Sequence, residues 1–360
     1  MSEFSARVIA WQHQHGRHGL PWQGADAYRV WLSEIMLQQT QVATVIPYFL
    51  RFVTTFPSVA ILAAADTDEV LALWSGLGYY ARGRNLHRAA KIIVEKYQGE
   101  FPREFAQILE LPGIGRSTAA AICALAWHER RAILDGNVKR VLSRHCGISG
   151  WTGNKKVEEQ LWQQAENLLP LPSRERGEDD SAIATYTQAL MDMGATLCTR
   201  SKPKCTVCPV QADCAALQTN RIAELPTPRP RKAVPQRYST FLLFVHDNDI
   251  LLEKRAPHGV WGGLWCPPQI DDGSGIPSDY VQLNGMEVSE RIDLAEFSHT
   301  FTHFKLHITP VLMRVTHKPQ RVQQTGSEWL DVEEALQAAI PTPVRKLLEK
   351  LQSMQGAIFC

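Results

Sequence analysis

The sequence lacks the hydrophobic segments that a membrane protein or a secreted precursor requires. No apolar run approaches membrane-spanning length, and the beginning, MSEFSARVIAWQHQHGRHG, has no apolar core of the signal-peptide type. The chain also has little net charge, +1 at pH 7, so charge alone indicates neither a nucleic-acid nor a membrane partner. These absences predict a cytoplasmic protein without membrane contact.

Nothing in the chain requires disulfide bonds, although it contains eight cysteines. A chain of 360 residues can bury cores of its own, and half of these cysteines are scattered. The others follow the pattern C-x6-C-x2-C-x5-C in the basic segment TRSKPKCTVCPVQADC: Cys198, Cys205, Cys208 and Cys214. Four thiolates this close in sequence can converge on one metal centre. The pattern has only one of the two C-x-x-C pairs usual in zinc sites, and it is looser than ferredoxin motifs.

Composition changes twice along the chain and predicts three regions. Residues 1–217 show apolar spacings of three and four residues, which predict an all-α region. Residues 218–237 hold four prolines and five basic residues, which predict an extended linker. Residues 238–354 show a β-hairpin pattern, an alternating strand and two short helices, which predict an α+β domain. Basic residues exceed acidic ones only before the third region, so we expect the first region to attract phosphate.

The string LPGIGRSTAAAI (111–122) predicts a helix–hairpin–helix over about residues 105–127. Gly113 and Gly115 allow a tight turn with exposed N–H groups, and the following helix begins near Arg116. Such amides at a helix N-terminus form a site for a phosphate oxygen, to which Ser117 and Lys139 are predicted to contribute. An ordinary helix corner is the alternative for this string taken alone.

Two carboxylates are candidates for chemistry. Asp135 follows the apolar pair Ile133-Leu134, twenty residues after Gly115, and is predicted to cap a new helix and face a cleft. Glu34 lies inside a strongly apolar helical segment, where it either faces solvent or is partly buried with a raised pKa. A plain N-cap and a solvent-facing glutamate are the alternatives that local pattern leaves open.

Seven strings occur in an order that resembles the MutY family of adenine DNA glycosylases over nearly the whole chain: LPWQ, SEIMLQQTQV, GLGYYARGRNL, LPGIGRSTA, ILDGNVKRV, the four cysteines and WGGLWCPPQ. The resemblance implies a multidomain protein. An all-α helix-hairpin-helix glycosylase region would carry a [4Fe–4S] cluster on the cysteine loop 198–214, and a Nudix (MutT-like) α+β domain would follow. It also implies a monomeric, nucleoid-associated bacterial enzyme of base excision repair, which removes adenine mispaired with 8-oxoguanine or guanine in double-stranded DNA.

The same resemblance implies roles for the catalytic residues. Glu34 would protonate adenine at N7, Asp135 would stabilise the oxocarbenium-like sugar, and Asn137 would help to orient these groups. Two carboxylates around a sugar cation also occur in glycoside hydrolysis. Ser117 stands where bifunctional relatives place a lysine that forms a Schiff base. Because serine cannot do so, we expect a monofunctional glycosylase.

DNA-reading residues are implied in the same way. Flipping a base out of the duplex costs a few kcal/mol of stacking and pairing. Gln39 and Tyr79 would wedge into the vacated stack, with Thr40 nearby. Gln23 and Gln188 match positions near the adenine edge, where a glutamine amide can both donate and accept.

The third region is expected to read a base and not to hydrolyse a nucleotide. It lacks the glutamate-rich Nudix helix that holds magnesium. In the family a Phe-Ser-His turn reads 8-oxoguanine, and this chain has Phe301-Thr302-His303, which keeps the hydroxyl and adds a methyl group. We refer to residues 301–303 as the reading turn.

Two other functions share some of these features. A glycosylase/lyase that acts on oxidised pyrimidines would have the hairpin, Asp135 and the cluster, but Ser117, Glu34 and the third region argue against it. A non-catalytic, redox-sensing cluster protein bound to DNA would leave the two carboxylates without a use.

Overall fold

A computed structural model describes residues 3–171, 181–230, 233–271, 286–318 and 326–356. The chain divides into two compact units, Met1–Ala64 with Asn85–Arg231 and Ala65–Arg84 with Lys232–Cys360. Residues 65–84 come from the predicted helical region but group with the second unit. We found no helix among the described residues with the length and apolar character needed to cross a membrane.

The first unit is helical, as its apolar spacing predicts. The helices from the start of the chain to the cysteine loop are α1 (Glu3–His15), α2 (Ala27–Leu37), α3 (Val42–Thr55), α4 (Val59–Ala64), α5 (Thr67–Trp74), α6 (Ala81–Tyr97), α7 (Phe105–Leu109), α8 (Arg116–Trp127), α9 (Gly136–His145), α10 (Lys155–Asn167) and α11 (Ser181–Asp192). Of these, α5 and the start of α6 belong to the second unit. A π-helix (Met193–Leu197), two short 3-10 helices (Cys205–Val207 and Gln211–Asp213) and α12 (Ala215–Gln218) form the cysteine loop and its exit.

The core of the first unit fixes the two candidate carboxylates. Buried side chains from α1, α8, α9, α10 and α11 pack together, and the run Ala132-Ile133-Leu134 inserts into this cluster directly before Asp135. On α2, Trp31, Leu32, Ile35 and Met36 are buried on both sides of Glu34 along the sequence. Both carboxylates are therefore attached to well-packed backbone.

The predicted hairpin between α7 and α8 is present. Gly113 has φ +83°, a left-handed conformation that favours glycine, and a Cβ there would lie 3.0 Å from the Asn85 side chain. Gly115 is the extended N-cap of α8, and a Cβ on it would meet nothing within 4 Å. The space beside Gly115 leaves the first backbone amides of α8 accessible.

The second unit contains a mixed sheet, as predicted for an α+β domain. Its strands are β1 (Gln236–His246), β2 (Asp249–Lys254), β3 (Trp265–Cys266), β4 (Gln269–Asp271), β5 (Val288–Asp293), β6 (Phe297–Thr300), β7 (Lys305–Val315) and β8 (Ser327–Asp331). The order is β3-β2-β1-β7-β5, with β4 on β1, β6 on β7 and β8 on β2. Strands β1 and β7 are parallel, and the other pairs are antiparallel.

Local patterns in this unit agree with the sequence. The sequence predicts a polar turn at His246-Asp247-Asn248; in the structure His246 ends β1 and pairs with Asp249, so Asp247 and Asn248 alone form the turn, with φ +50° at Asp247. In β7, Leu306 and Ile308 are buried and Thr309 is exposed, as the alternation predicts. Two helices, α13 (Val332–Gln337) and α14 (Thr342–Gly356), close the unit.

The first half of the predicted linker is folded. Leu225 is buried, and its carbonyl oxygen accepts a hydrogen bond of 2.8 Å from Arg144 Nε. Thr227 forms a β-bridge with Trp151, and its hydroxyl accepts from the Gly150 N–H at 2.9 Å. One buried leucine and these side-chain bonds attach the segment to the first unit, although its proline content predicts an extended chain.

Candidate active site

A cavity of about 890 Å³ in the first unit lies beside the C-terminal half of α2, the hairpin, the N-terminus of α9 and the π-helix. Six of the predicted site residues line it: Glu34, Thr40, Gly115, Ser117, Asp135 and Asn137. The structure therefore brings together two carboxylates, an amide, hydroxyl groups and accessible backbone amides. This is the composition expected of a site for acid–base chemistry.

Glu34 is held in its protonated form. Burial raises the pKa of Glu34 to about 8, and the negative charge of Asp135 adds to the rise. No group that stabilises the ionised form is among the causes of this shift. A carboxylic acid of this kind keeps its proton at neutral pH and can donate it.

Asp135 occupies the N-cap of α9, as predicted, and has a different environment. Its Oδ1 accepts a hydrogen bond of 2.8 Å from the Val138 N–H. Burial raises its pKa, but the Val138 and Asn137 N–H groups and the charges of Arg140 and Lys139 act in the opposite direction. The two carboxylates thus differ because only Asp135 has partners that favour the charged form.

Asn137 is oriented by Arg140 and by close packing on the π-helix. Arg140 Nη2 donates to Asn137 Oδ1 at 2.8 Å and to the Gly194 carbonyl at 2.6 Å, while its Nε donates to the Cys198 carbonyl at 2.8 Å. A Cβ on Gly194 would lie 2.5 Å from the Asn137 Cβ. Sequence analysis missed Gly194, although π-helical turns occur often at functional sites.

Ser117 and Lys139, both predicted to bind phosphate, have intramolecular partners. Ser117 Oγ accepts a hydrogen bond of 2.9 Å from the Leu134 N–H, which fixes the segment leading to Asp135. Lys139 Nζ lies 2.7 Å from Glu158 Oε1 on α10. Ser117 nevertheless lines the cavity, whereas Lys139 does not.

Arg17 is a cavity residue that sequence analysis missed. Its Nη2 lies 2.6 Å from Asp192 Oδ1, its Nε 2.9 Å from the same oxygen, and its backbone N–H 2.7 Å from Asp192 Oδ2. Asp192 is fully buried, so this ion pair fixes Arg17 from inside the protein. The two residues are 175 positions apart, and no local pattern relates them.

Gln23 and Gln188, predicted at the adenine edge, line a separate cavity of about 350 Å³. Gln188 Nε2 donates to Asp192 Oδ1 at 2.8 Å. Gln23 accepts from the Leu20 N–H at 2.9 Å and donates to the Arg17 carbonyl at 2.8 Å. Both amides therefore have protein partners and do not reach the cavity of Glu34 in this structure.

The predicted wedge residues share an uncommon backbone conformation. Gln39 has φ +59° and Tyr79 has φ +49°, values that residues other than glycine adopt rarely and at some energetic cost. Both side chains are exposed. Strained, exposed residues are concentrated at functional sites.

The four predicted cysteine ligands lie on the π-helix exit and the two 3-10 helices. They are half-buried free thiols. Burial raises the pKa of Cys208 to about 11, and the charges of the other three cysteines add to the rise, because these residues lie close by. Arg144 Nη1 lies 3.4 Å from Cys198 Sγ and also donates to the Thr199 carbonyl at 2.7 Å. Four convergent thiols beside a buried arginine fit an anionic, thiolate-ligated centre.

In the part of the chain that the structure describes, no three Cys, His, Asp or Glu side chains form a group that could hold a single metal ion. A four-iron cluster places each thiolate on a different iron atom, so its ligands stand further apart than those of a mononuclear site.

The reading turn lies between β6 and β7. Phe301 is partly buried and stacks on Phe304 with ring centroids 4.5 Å apart, whereas Thr302 and His303 are exposed at the tip. The Phe301 N–H donates to the Phe304 carbonyl at 2.9 Å and closes the turn. The Thr302 hydroxyl and the His303 imidazole are thus exposed to solvent, and the stacked rings of Phe301 and Phe304 support them from below.

Comparison with known proteins agrees with this architecture. Residues 32–167 match the model described as HhH-GPD superfamily base excision DNA repair protein, and residues 239–350 match a NUDIX domain. An adenine DNA glycosylase of Buchnera aphidicola is 38% identical, with 97% of each chain covered. The chain belongs to the adenine DNA glycosylases. The enzyme is accordingly a hydrolytic DNA N-glycosylase of base excision repair.

The similarity extends to animals and to solved folds. The human adenine DNA glycosylase is 30% identical over 99% of this chain and 75% of its own length. A thermostable thymine-DNA glycosylase of known structure is 25% identical, with a TM-score of 0.51. The match covers 60% of the present chain and 95% of the thymine-DNA glycosylase. An endonuclease III–DNA complex, 20% identical with a TM-score of 0.50, shares the fold. DNA is therefore the class of substrate.

Proposed function

We propose that this glycosylase removes adenine paired with 8-oxoguanine or guanine, with Glu34 as the general acid and Asp135 as the carboxylate that stabilises the sugar cation. The observation that carries the proposal is the unequal environment of the two carboxylates in one cavity. Burial raises the pKa of both groups; the negative charge of Asp135 adds to the rise at Glu34, whereas backbone N–H groups and two cations oppose the rise at Asp135.

The chemistry of adenine release explains why both forms are needed. Adenine is a poor leaving group until a ring nitrogen is protonated, so an acid that is still protonated at neutral pH speeds cleavage of the N-glycosidic bond. The sugar then carries positive charge, which a nearby carboxylate stabilises before water completes the hydrolysis. Asn137, fixed by Arg140 and Gly194, is positioned to orient these groups.

Ser117 supports hydrolysis without strand cleavage. Its hydroxyl accepts a hydrogen bond from the Leu134 N–H and lines the cavity, so this position offers no amine for a Schiff base. We therefore propose a monofunctional enzyme.

The partner base and the cofactor belong to the same proposal. The exposed Thr302 hydroxyl can hydrogen-bond to the base opposite adenine, and the reading turn is the part of the second unit proposed to recognise 8-oxoguanine. Cys198, Cys205, Cys208 and Cys214 would hold a [4Fe–4S] cluster. That cluster would order a loop with Lys202 and Lys204 beside DNA phosphate, since the reaction itself needs no electron.

The test uses duplexes in which adenine stands opposite 8-oxoguanine, guanine or thymine. We expect strand breaks only after alkali and mainly opposite 8-oxoguanine, and their loss in E34Q. The exposed α6 residue Glu95 provides a control, because E95Q should act like wild type. Breaks without alkali would refute the monofunctional assignment, and full activity in E34Q would refute the role of Glu34.

A further inference from the structure

The turn 255–264, between β2 and β3, is a rigid part of the second unit that the chemistry above does not use. A Cβ on Gly262 would lie 2.5 Å from the Pro257 carbonyl oxygen, so only glycine fits there. The Gly263 N–H donates to the Arg255 carbonyl at 3.1 Å. Trp261 is buried yet has φ +55°. Such a constrained turn indicates that the direction of its groups matters.

One side of this turn supports the reading turn. The Trp261 ring lies 5.4 Å from the Phe301 ring, and His299 packs against both, at 5.9 and 4.7 Å. Phe301 is the residue that anchors Thr302 and His303. The position of Trp261 therefore sets the position of the exposed tip.

The other side of the turn is bonded to the helix that follows Tyr79. Arg84 Nη1 donates to the Gly262 carbonyl at 2.6 Å. Arg84 lies in the first turn of α6, where its own N–H bonds to the Tyr80 carbonyl at 3.0 Å. Arg84 is half-buried, and this burial lowers the pKa of its guanidinium. A short charge-assisted bond in such a place is worth more than one at an open surface.

Residues 65–84 also bond to the rest of the second unit through Asp68, which pairs with Lys254 at 2.7 Å, and through Ser75 and Tyr80. Ser75 Oγ and Tyr80 Oη both donate to the Ile340 carbonyl, at 2.9 and 3.0 Å. These bonds hold the segment near α14, whereas Arg84 bonds directly beside Trp261. Arg84 thus links the segment that contains Tyr79 to the turn 255–264, and through Trp261 to the reading turn.

We propose that Arg84 is a positioning residue, which fixes the reading turn relative to Tyr79 and thereby sets the preference for adenine opposite 8-oxoguanine over adenine opposite guanine. This inference rests on the proposed function. If Tyr79 and the reading turn contact the same mispair, the distance between them must be fixed, because small displacements weaken recognition strongly. The guanidinium bond to Gly262 joins the Tyr79 segment directly to the turn that supports the reading turn.

The experiment compares R84M with wild type in single-turnover excision on both mispairs, with enzyme in excess over duplex but below the saturating concentration. We expect the ratio of the two rates, 8-oxoguanine over guanine, to fall by about tenfold, the effect of losing one charge-assisted hydrogen bond. Excision opposite guanine should stay within roughly twofold, because the bond acts on the reading of 8-oxoguanine. R84K, which keeps one donor, should recover part of the ratio.

Two further variants separate this role from general effects. Arg88, exposed on the same helix and bonded to Asn85, is the matched control, and R88M should keep the wild-type ratio. In a T302A background, R84M should have no additional effect on the ratio, since both changes remove the same recognition.

An unchanged ratio in R84M, or equal losses on both mispairs, would overturn the inference. Equal losses with a weaker salt dependence of binding would instead identify Arg84 as a phosphate contact. A wild-type enzyme without preference for 8-oxoguanine would contradict the proposed function itself, so the two failures can be distinguished.

Discussion

Replacing Asp192 by asparagine tests the buried network that fixes one wall of the candidate active site. The Asp192 carboxylate accepts five hydrogen bonds, three from Arg17 and one each from Gln12 and Gln188. Asparagine keeps the shape but replaces one acceptor oxygen by an NH₂ group that faces these donors. It also leaves the Arg17 guanidinium without its charged partner.

Burial determines the size of the expected effect. The Asp192 side chain is 1% exposed and that of Arg17 is 27% exposed. Breaking a buried ion pair by removing one partner costs about 3–5 kcal/mol. For a unit of this size, that cost corresponds to a fall in Tm of roughly 6–20 °C.

Glu166 offers a matched control. Its carboxylate pairs with Arg116 at 2.6 Å, the same separation as in the buried pair, but the two side chains are 52% and 46% exposed. An exposed pair contributes at most about 1 kcal/mol, so E166Q should lower Tm by no more than a few degrees. The two variants differ in burial and in the number of hydrogen bonds that the carboxylate accepts, five at Asp192 and one at Glu166.

Thermal unfolding followed by circular dichroism measures both variants, and adenine excision measures the consequence for Arg17. We expect D192N to lose stability and to excise adenine more slowly, because Arg17 loses its fixed position in the cavity wall. A Tm of D192N close to that of wild type, or an equal loss in E166Q, would refute the reasoning from burial.

Other predictions follow from the same site. Excision should decline above about pH 8, because Glu34 then loses the proton that it donates, and a rate that is flat through this range would contradict its role. G194A should slow excision, because the added methyl group would lie 2.5 Å from the Asn137 Cβ and displace it; an unchanged single-turnover rate would show that Asn137 needs no such support. In the cysteine loop, C205S should lower the bound iron and the visible absorption of the purified protein, and wild-type iron content would argue against Cys205 as a ligand.

Local sequence pattern was sufficient for the elements that carry the carboxylates. Asp135 caps α9, and the hairpin begins its second helix at Arg116, because capping and turn preferences depend on neighbouring residues. Glu34 lies on the predicted helix, but periodicity alone leaves open whether its side chain faces solvent or is partly buried. The resemblance to a family, and not the pattern, indicated its catalytic role.

Long-range contacts account for what the sequence did not predict. Arg17 and Asp192 meet across most of the first unit, and Gln188 bonds to Asp192 instead of reaching the cavity. Residues 65–84 group with the second unit through bonds to residues such as Ile340. Pairings of this kind depend on tertiary packing between residues far apart in sequence, which a short stretch of sequence does not reveal.

The most direct test of the account is single-turnover adenine release from an A·8-oxoguanine duplex by wild type and E34Q, with duplex affinity measured for both. The account predicts that E34Q binds the duplex as tightly as wild type but releases adenine at least about a hundredfold more slowly, the loss expected without a general acid. Release by E34Q at a rate close to that of wild type would contradict the assignment of Glu34 as the proton donor.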